Sequence, residues 1–294
     1  MIAAPKGGVG SLAVAREAGT ILCVSGVFPG ADLAADEAKE QARKEAGVTA
    51  LLFEHFPIRY WDHYLGPRAD HLLVGVAPAG AEERAGELRD LTPDADARAL
   101  IDVAPAISPD GRTVVVTWVD QGLGLARETT NLVAIDVASG ARRSLTSGER
   151  AYDAHPAISP DGRWVAAVHV GLATPEQLPP VRLHLVELAT GAVREVAADF
   201  DRWPTGLAWS ADSTALFFLA DDDGATRPFR LELPSGAVTR LGAANPDGGS
   251  YADLCPAPDG RTLYALRSAP DRPPHVVRLA ADGPSEPVEL ASPA

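Results

Sequence analysis

Short apolar runs alternate along the chain with tight polar turns, and the runs are apolar on both faces. "RTVVVTWV" (112–119), "RWVAAVHV" (163–170) and "TALFFLA" (214–220) carry β-branched or apolar side chains at odd and even positions alike. Such a run suits a strand covered above and below by neighbouring sheets. Each is preceded by one recurring turn. "PAISPDGR" occurs at 105–112 and at 156–163, with degenerate copies "LAWSADST" (207–214) and "CPAPDGRT" (255–262). Their aspartates Asp110, Asp161, Asp212 and Asp259 are spaced by 51, 51 and 47 residues.

In the Pro-Asp-Gly turn, Pro fixes φ, Asp bonds nearby backbone and Gly takes positive φ. Asp110, Gly111, Asp161, Gly162, Asp259 and Gly260 are therefore read as structural. Behind each turn the same order returns. In the first copy it is "TNLVAIDV" (130–137), the turn "ASGA" (138–141) and "RRSLT" (142–146). With the short strand before the turn, each repeat holds four antiparallel strands. A strand-rich period near ~50 residues predicts propeller blades.

The fold expected is all-β: one β-propeller domain over 1–294, of about five four-stranded blades. The blades fall at 10–92, 102–147, 153–198, 204–242 and 251–291. The first is assembled from "SLAVAREAGTILCVSGVF" (11–28), "HLLVGV" (71–76) and "ELRDLT" (87–92), and carries an insertion. Within that insertion "ADLAADEAKEQARKEAG" (31–47), rich in Ala, Glu and Lys and closed by Gly47, predicts a helix. No repeat carries a 3.6-residue stripe, which excludes a helical solenoid.

Composition narrows the partners. A net charge of −14 over 294 residues argues against a nucleic-acid surface, which needs clustered Lys and Arg. Cys23 and Cys255 form neither a disulfide framework nor a metal motif. No apolar run reaches the length of a membrane span, and "MIAAPKGGVG" does not read as a signal peptide. A cytoplasmic location with no membrane partner is expected.

Four stretches raise chemistry. "NPDGGSYADL" (245–254) sets Ser250 after two glycines, but Ala252 stands where a nucleophile elbow needs Gly, and a strand follows instead of a helix. Ser250 is placed in the linker entering the fourth repeat, where His155 and Gly206 stand in the second and third. "PKGGVGSL" (5–12) has Ser11 and Leu12 where a phosphate-binding loop requires Lys and Ser or Thr. "FEHFPIRYWDHYLGPRADHLL" (53–73) holds the pairs Glu54-His55, Asp62-His63 and Asp70-His71, at a spacing of eight that no regular element brings together. Arg59, Trp61 and Asp62 are read there as structural, clamping the insertion to its blade, with Trp61 buried. "ADDDG" (220–224) lacks calcium-loop spacing and reads as an acidic hairpin. No catalytic residue, metal or cofactor is expected.

"IRYWDHYLGPRADHLLV", the "SPDGR" turns, "DRWPTGLAWSADS" (201–213) and "PDGRTLYALRSAPDRPPHVVRL" together resemble the prolyl oligopeptidase family of serine peptidases. The likeness is nearest to its acylaminoacyl-peptidase and dipeptidyl-aminopeptidase-like members. It implies a propeller that precedes an α/β-hydrolase domain bearing the Ser, Asp and His of a triad, and that admits only short peptides. It covers the propeller portion alone. No position matches a triad motif, and "EPVELASPA" stops about where a linker to the hydrolase domain begins, with 291–294 as its start. The chain is expected to be a substrate-gating segment without activity of its own, truncated also at its N-terminal side. Peptide substrates and a hydrolase domain are its implied partners. The alternative is a stand-alone propeller that binds a protein or peptide.

Overall fold

A computed structural model describes residues 5–53, 58–60, 62–78, 87–95, 99–100, 104–120, 129–147, 151–242 and 249–290. The chain divides into two compact units, Met1–Glu149 and Arg150–Ala294. Among the described residues no helix is long and apolar enough to cross a membrane.

The first unit begins with strands β1 (Ser11–Val14) and β2 (Thr20–Val27), followed by helix α1 (Leu33–Glu45). A small hairpin, β3 (Arg59–Tyr60) and β4 (His63–Tyr64), leads to β5 (Ala69–Val76) and β6 (Arg89–Asp90). The sheet order is β1-β2-β5-β6, so α1 and the hairpin form one excursion between two adjacent strands. Asp32 caps α1 by accepting a bond from the Ala35 amide at 2.7 Å. At the other end the Gly47 and Val48 amides donate to the Lys44 and Arg43 carbonyls, and Gly47 takes the positive φ that closes such an end.

The second sheet comprises β7 (Ala106–Ile107), β8 (Thr113–Asp120), β9 (Thr129–Asp136) and β10 (Arg142–Ser144). Its face packs on the first sheet: Leu22, Val24, Leu72, Val74 and Leu91 meet Val114, Val116, Val133 and Ile135 in one core. Gly111 lies at that contact with φ 72°, and a side chain there would collide with Thr20 and Ala18.

The second unit holds three runs of four consecutive strands, each paired in chain order. The first is β11 (Ala151–Ile158), β12 (Trp164–Gly171), β13 (Val181–Glu187) and β14 (Val193–Val196). Next come β15 (Thr205–Trp209), β16 (Ala215–Asp222), β17 (Ala225–Glu232) and β18 (Val238–Arg240). The last are β19 (Ser250–Pro256), β20 (Thr262–Ala269), β21 (Arg272–Ala280) and β22 (Val288–Glu289). Neighbouring strands within each sheet are antiparallel.

The two-faced apolar runs are explained by β16. Leu216, Phe218 and Ala220 point toward the core shared with Ala166, Val168, Leu183 and Leu185. Phe217 and Leu219, on the other face, join Tyr251, Leu263, Ala265 and Val277. A period of two thus feeds two cores from one strand. β16 and β17 are joined through Asp223 and Gly224, both at positive φ (50° and 72°). That is the turn whose twist matches a right-handed hairpin. The acidic hairpin read from "ADDDG" is held by two arginines: Arg202 and Arg240 both bond Asp222, at 2.8 and 3.0 Å.

Candidate functional site

The aspartate turns are built from a serine as well as an aspartate. In the first, the Ser108 hydroxyl donates to Asp110 at 2.6 Å and accepts from the Thr113 amide at 2.9 Å. The Arg112 amide also donates to Asp110. Ser159 with Asp161 and Ser210 with Asp212 repeat the arrangement. In the fourth, position 257 is Ala, and the Thr262 amide and hydroxyl both turn to Asp259 instead. Hydrogen bonds from Ser108 and the Arg112 amide hold the Asp110 carboxyl below its ordinary value. Asp212 is lowered likewise by Ser210 and Thr214, and Asp259 by the Arg261 amide and Thr262. Gly111, Gly162 and Gly260 take positive φ; in the third turn Ser213 takes that conformation, at 61°.

In the inserted segment Arg59 and Asp62 are exposed on the β3–β4 hairpin, Asp62 with further interactions, and Trp61 lies outside the described residues. Glu54 and His55 also lie outside them. A tether that the sequence reading missed comes from Arg68. Its guanidinium grips the buried Asp36 of α1 with two bonds, at 3.1 and 3.0 Å, and reaches Glu40 at 2.9 Å. It also lies over the Phe28 ring, 4.4 Å from the centroid. Asp36 in turn accepts from the Phe28 amide at 2.7 Å, so one carboxylate joins helix, blade and the segment returning to β5.

Ser250 corrects the sequence reading. It is the first residue of β19, opposite Ser268, and accepts a bond from the Thr226 amide at 3.2 Å. His155, Gly206 and Asp253 share a different position. Each lies at positive φ (56°, 58° and 52°) where the ladder register shifts, inside β11, β15 and β19. The counterpart of His155 is therefore Asp253, and Ser250 corresponds to Tyr152. His155, Gly206 and Asp253 each stand six residues before their turn aspartate, whereas Ser250 stands nine before Asp259, so the sequence alignment is three residues out.

Two polar sets that the sequence reading did not single out emerge from strand register. In the first sheet Ser25 on β2 lies directly opposite His71 on β5. His71 Nδ1 is 2.6 Å from Asp90 on β6. These are the residue types of a hydrolase triad, yet His71 is 0% and Ser25 2% exposed. Neither Ser25 Oγ nor His71 Nε2 has a partner among the described residues, so the serine is not bonded to the base. Nucleophilic catalysis needs that bond and an opening for substrate. The second set is Asp153, His169 and His184, on β11, β12 and β13. Asp153 is buried and lies 2.8 Å from His169 Nδ1. The His169 and His184 rings stack at 4.4 Å between centroids. Burial, then the neighbouring His169, pushes the His184 imidazole below its ordinary value.

Four-stranded antiparallel units packed face to face within each unit of the chain are β-propeller blades. The fold is shared with the uncomplexed acylaminoacyl peptidase of Pyrococcus horikoshii (TM-score 0.61, 13% identity, 97% of this chain and 38% of that chain). It is also shared with TolB from Acinetobacter baumannii (TM-score 0.51, 18% identity, 76% of this chain and 49% of that one). At such identities the likeness shows fold alone. In sequence, the chain is 26% identical over 177 residues to dipeptidyl-peptidase 5 of Porphyromonas gingivalis, covering 58% of this chain and 25% of that protein. The chain resembles the propeller portion of the prolyl oligopeptidase family. It spans about a quarter of that relative's length. No protein-family model matches it.

Proposed function

We propose that this chain is a substrate-gating, non-catalytic propeller segment of a prolyl oligopeptidase-type serine peptidase that acts on short peptides. The observation that carries the proposal is the sequence match to dipeptidyl-peptidase 5. Two features of the described residues support the non-catalytic part. Ser250 is a strand residue whose hydroxyl serves a backbone amide. The Ser25, His71 and Asp90 set is buried and lacks the serine–histidine bond. Gating in this reading is steric: stacked blades with interlocked apolar faces make a wall that stays rigid while a substrate is sorted by size.

The test uses the purified chain alone and with a hydrolase domain taken from a family member. The chain alone should not hydrolyse dipeptidyl or N-acylated substrates, and a fluorophosphonate probe should not label it. Added to the hydrolase domain, it should slow cleavage of long peptides and leave small esters untouched. Stoichiometric labelling of Ser250, lost in Ser250→Ala, would refute the non-catalytic assignment. Equal slowing of long peptides and small esters would refute gating.

A further inference from the structure

Asp153, His169 and His184 occupy three adjacent strands on one face of a single sheet. Asp153 is directly opposite His169. His184 is opposite Ala167, two residues before His169 and so on the same face. The other face carries Ala166, Val168, Leu183 and Leu185, which pack on the β15–β18 sheet. One candidate ligand atom from each of the three residues lies within 4.8 Å of the other two.

We propose that these three side chains bind one divalent first-row transition-metal ion, Zn²⁺ or a close analogue, with Asp153, His169 and His184 as ligands and one position left open. Two imidazoles and a carboxylate are borderline ligands that suit such ions and disfavour Mg²⁺ and Ca²⁺, which take oxygen. Three protein ligands leave a tetrahedral ion a fourth position for water or substrate. Tetrahedral geometry with bonds of about 2.1 Å sets the ligand atoms about 3.4 Å apart. Closing from at most 4.8 Å asks less than about 1 Å of each atom, within the reach of side-chain rotation on a fixed ladder.

An ion also accounts for the second imidazole. Asp153 already bonds His169, and His184 is held against the His169 ring. Arg182, opposite His169 on this face, is engaged by Glu195 at 3.2 Å, so its charge is offset before it meets a metal. The His169 side chain is 27% exposed, which gives the ion a way in. The inference stands apart from the peptidase reading and needs no hydrolase domain.

Chelator-stripped chain titrated with Co²⁺ tests it. One equivalent should bind with the visible ligand-field bands of a four- or five-coordinate site, should be displaced by Zn²⁺, and should resist excess Mg²⁺ or Ca²⁺. His184→Phe keeps an aromatic ring against His169 while removing a ligand, so the sheet should survive, as circular dichroism would show. Its Co²⁺ affinity should fall by more than about tenfold. Zn²⁺ should raise the melting temperature of the native chain and not that of His184→Phe. His275→Ala, which alters a histidine on β21, should bind as the native chain does. The proposal is overturned by the lack of saturable one-equivalent binding, by full affinity in folded His184→Phe, or by loss of binding in His275→Ala.

Discussion

The Ser25, His71 and Asp90 set and the Asp153, His169 and His184 set start from the same chemistry. Each pairs a histidine Nδ1 with an aspartate on a neighbouring strand, at 2.6 and 2.8 Å. They differ in what surrounds the second ring nitrogen. His71 is 0% exposed and its Nε2 faces no partner among the described residues, whereas the His169 side chain is 27% exposed beside a second imidazole. Residue types suited to a triad thus become core where apolar neighbours close over them. The same types stay available for ligand chemistry where one edge meets water. Beyond the shared Asp–His pair, access and the third residue separate the two.

The largest effect should come from the closed set. Asp90→Ala removes the partner of a fully buried imidazole and also the acceptor of the Thr92 amide, bonded at 2.8 Å. Leaving buried polar groups unpaired should cost about 3 kcal/mol in urea unfolding. Asp153→Ala should cost less, about 1 kcal/mol, because water can reach His169 and replace the lost bond. Equal losses from the two variants would break the distinction between a closed and an open set.

Ser25→Ala separates them by sign. The Ser25 hydroxyl is buried and has no partner among the described residues. Its removal deletes an unmet desolvation cost instead of a bond, so stability should be unchanged or rise by up to about 1 kcal/mol. A loss above about 1 kcal/mol would mean that Ser25 is bonded to His71 in solution, and the set would then have the coupling of a triad.

What the sequence could and could not disclose follows from range. The Asp-Gly turns, the two-faced runs and the α1 boundaries are local signals, and the sheets formed where those signals lie. Ser250 was misplaced because the bulge position holds three unlike residues, His155, Gly206 and Asp253, so no residue type marks it in the sequence. The Arg68–Asp36 tether spans 32 positions, and Asp36 is buried in a helix whose composition reads as solvated. Neither histidine set carries a sequence motif. Asp153, His169 and His184 become neighbours only through register, since a slip of one residue would turn a strand's member to the other face.

The smallest effect concerns an aspartate exposed enough for water to compete. The Asp110 carboxyl is held below its ordinary value, first by the Ser108 hydroxyl and then by the Arg112 amide. A carboxylate lowered in the folded state adds stability that is complete above the unfolded value of about 3.9 and is lost as pH falls through the folded one. The Asp110 side chain is 51% exposed, so screening limits this to less than about 1 kcal/mol. Asp110→Asn should therefore melt below the native chain at neutral pH, and the gap should narrow as pH drops below about 4. Ser108→Ala offers the control, because it removes the first cause of the shift and one acceptor of the Thr113 amide without touching the charge. It should raise the Asp110 pKa, read by carboxyl-carbon NMR titration, and weaken the acid dependence. A gap between Asp110→Asn and the native chain that stays constant from neutral pH to about 3 would show that shape, and not charge, is what Asp110 supplies to the turn.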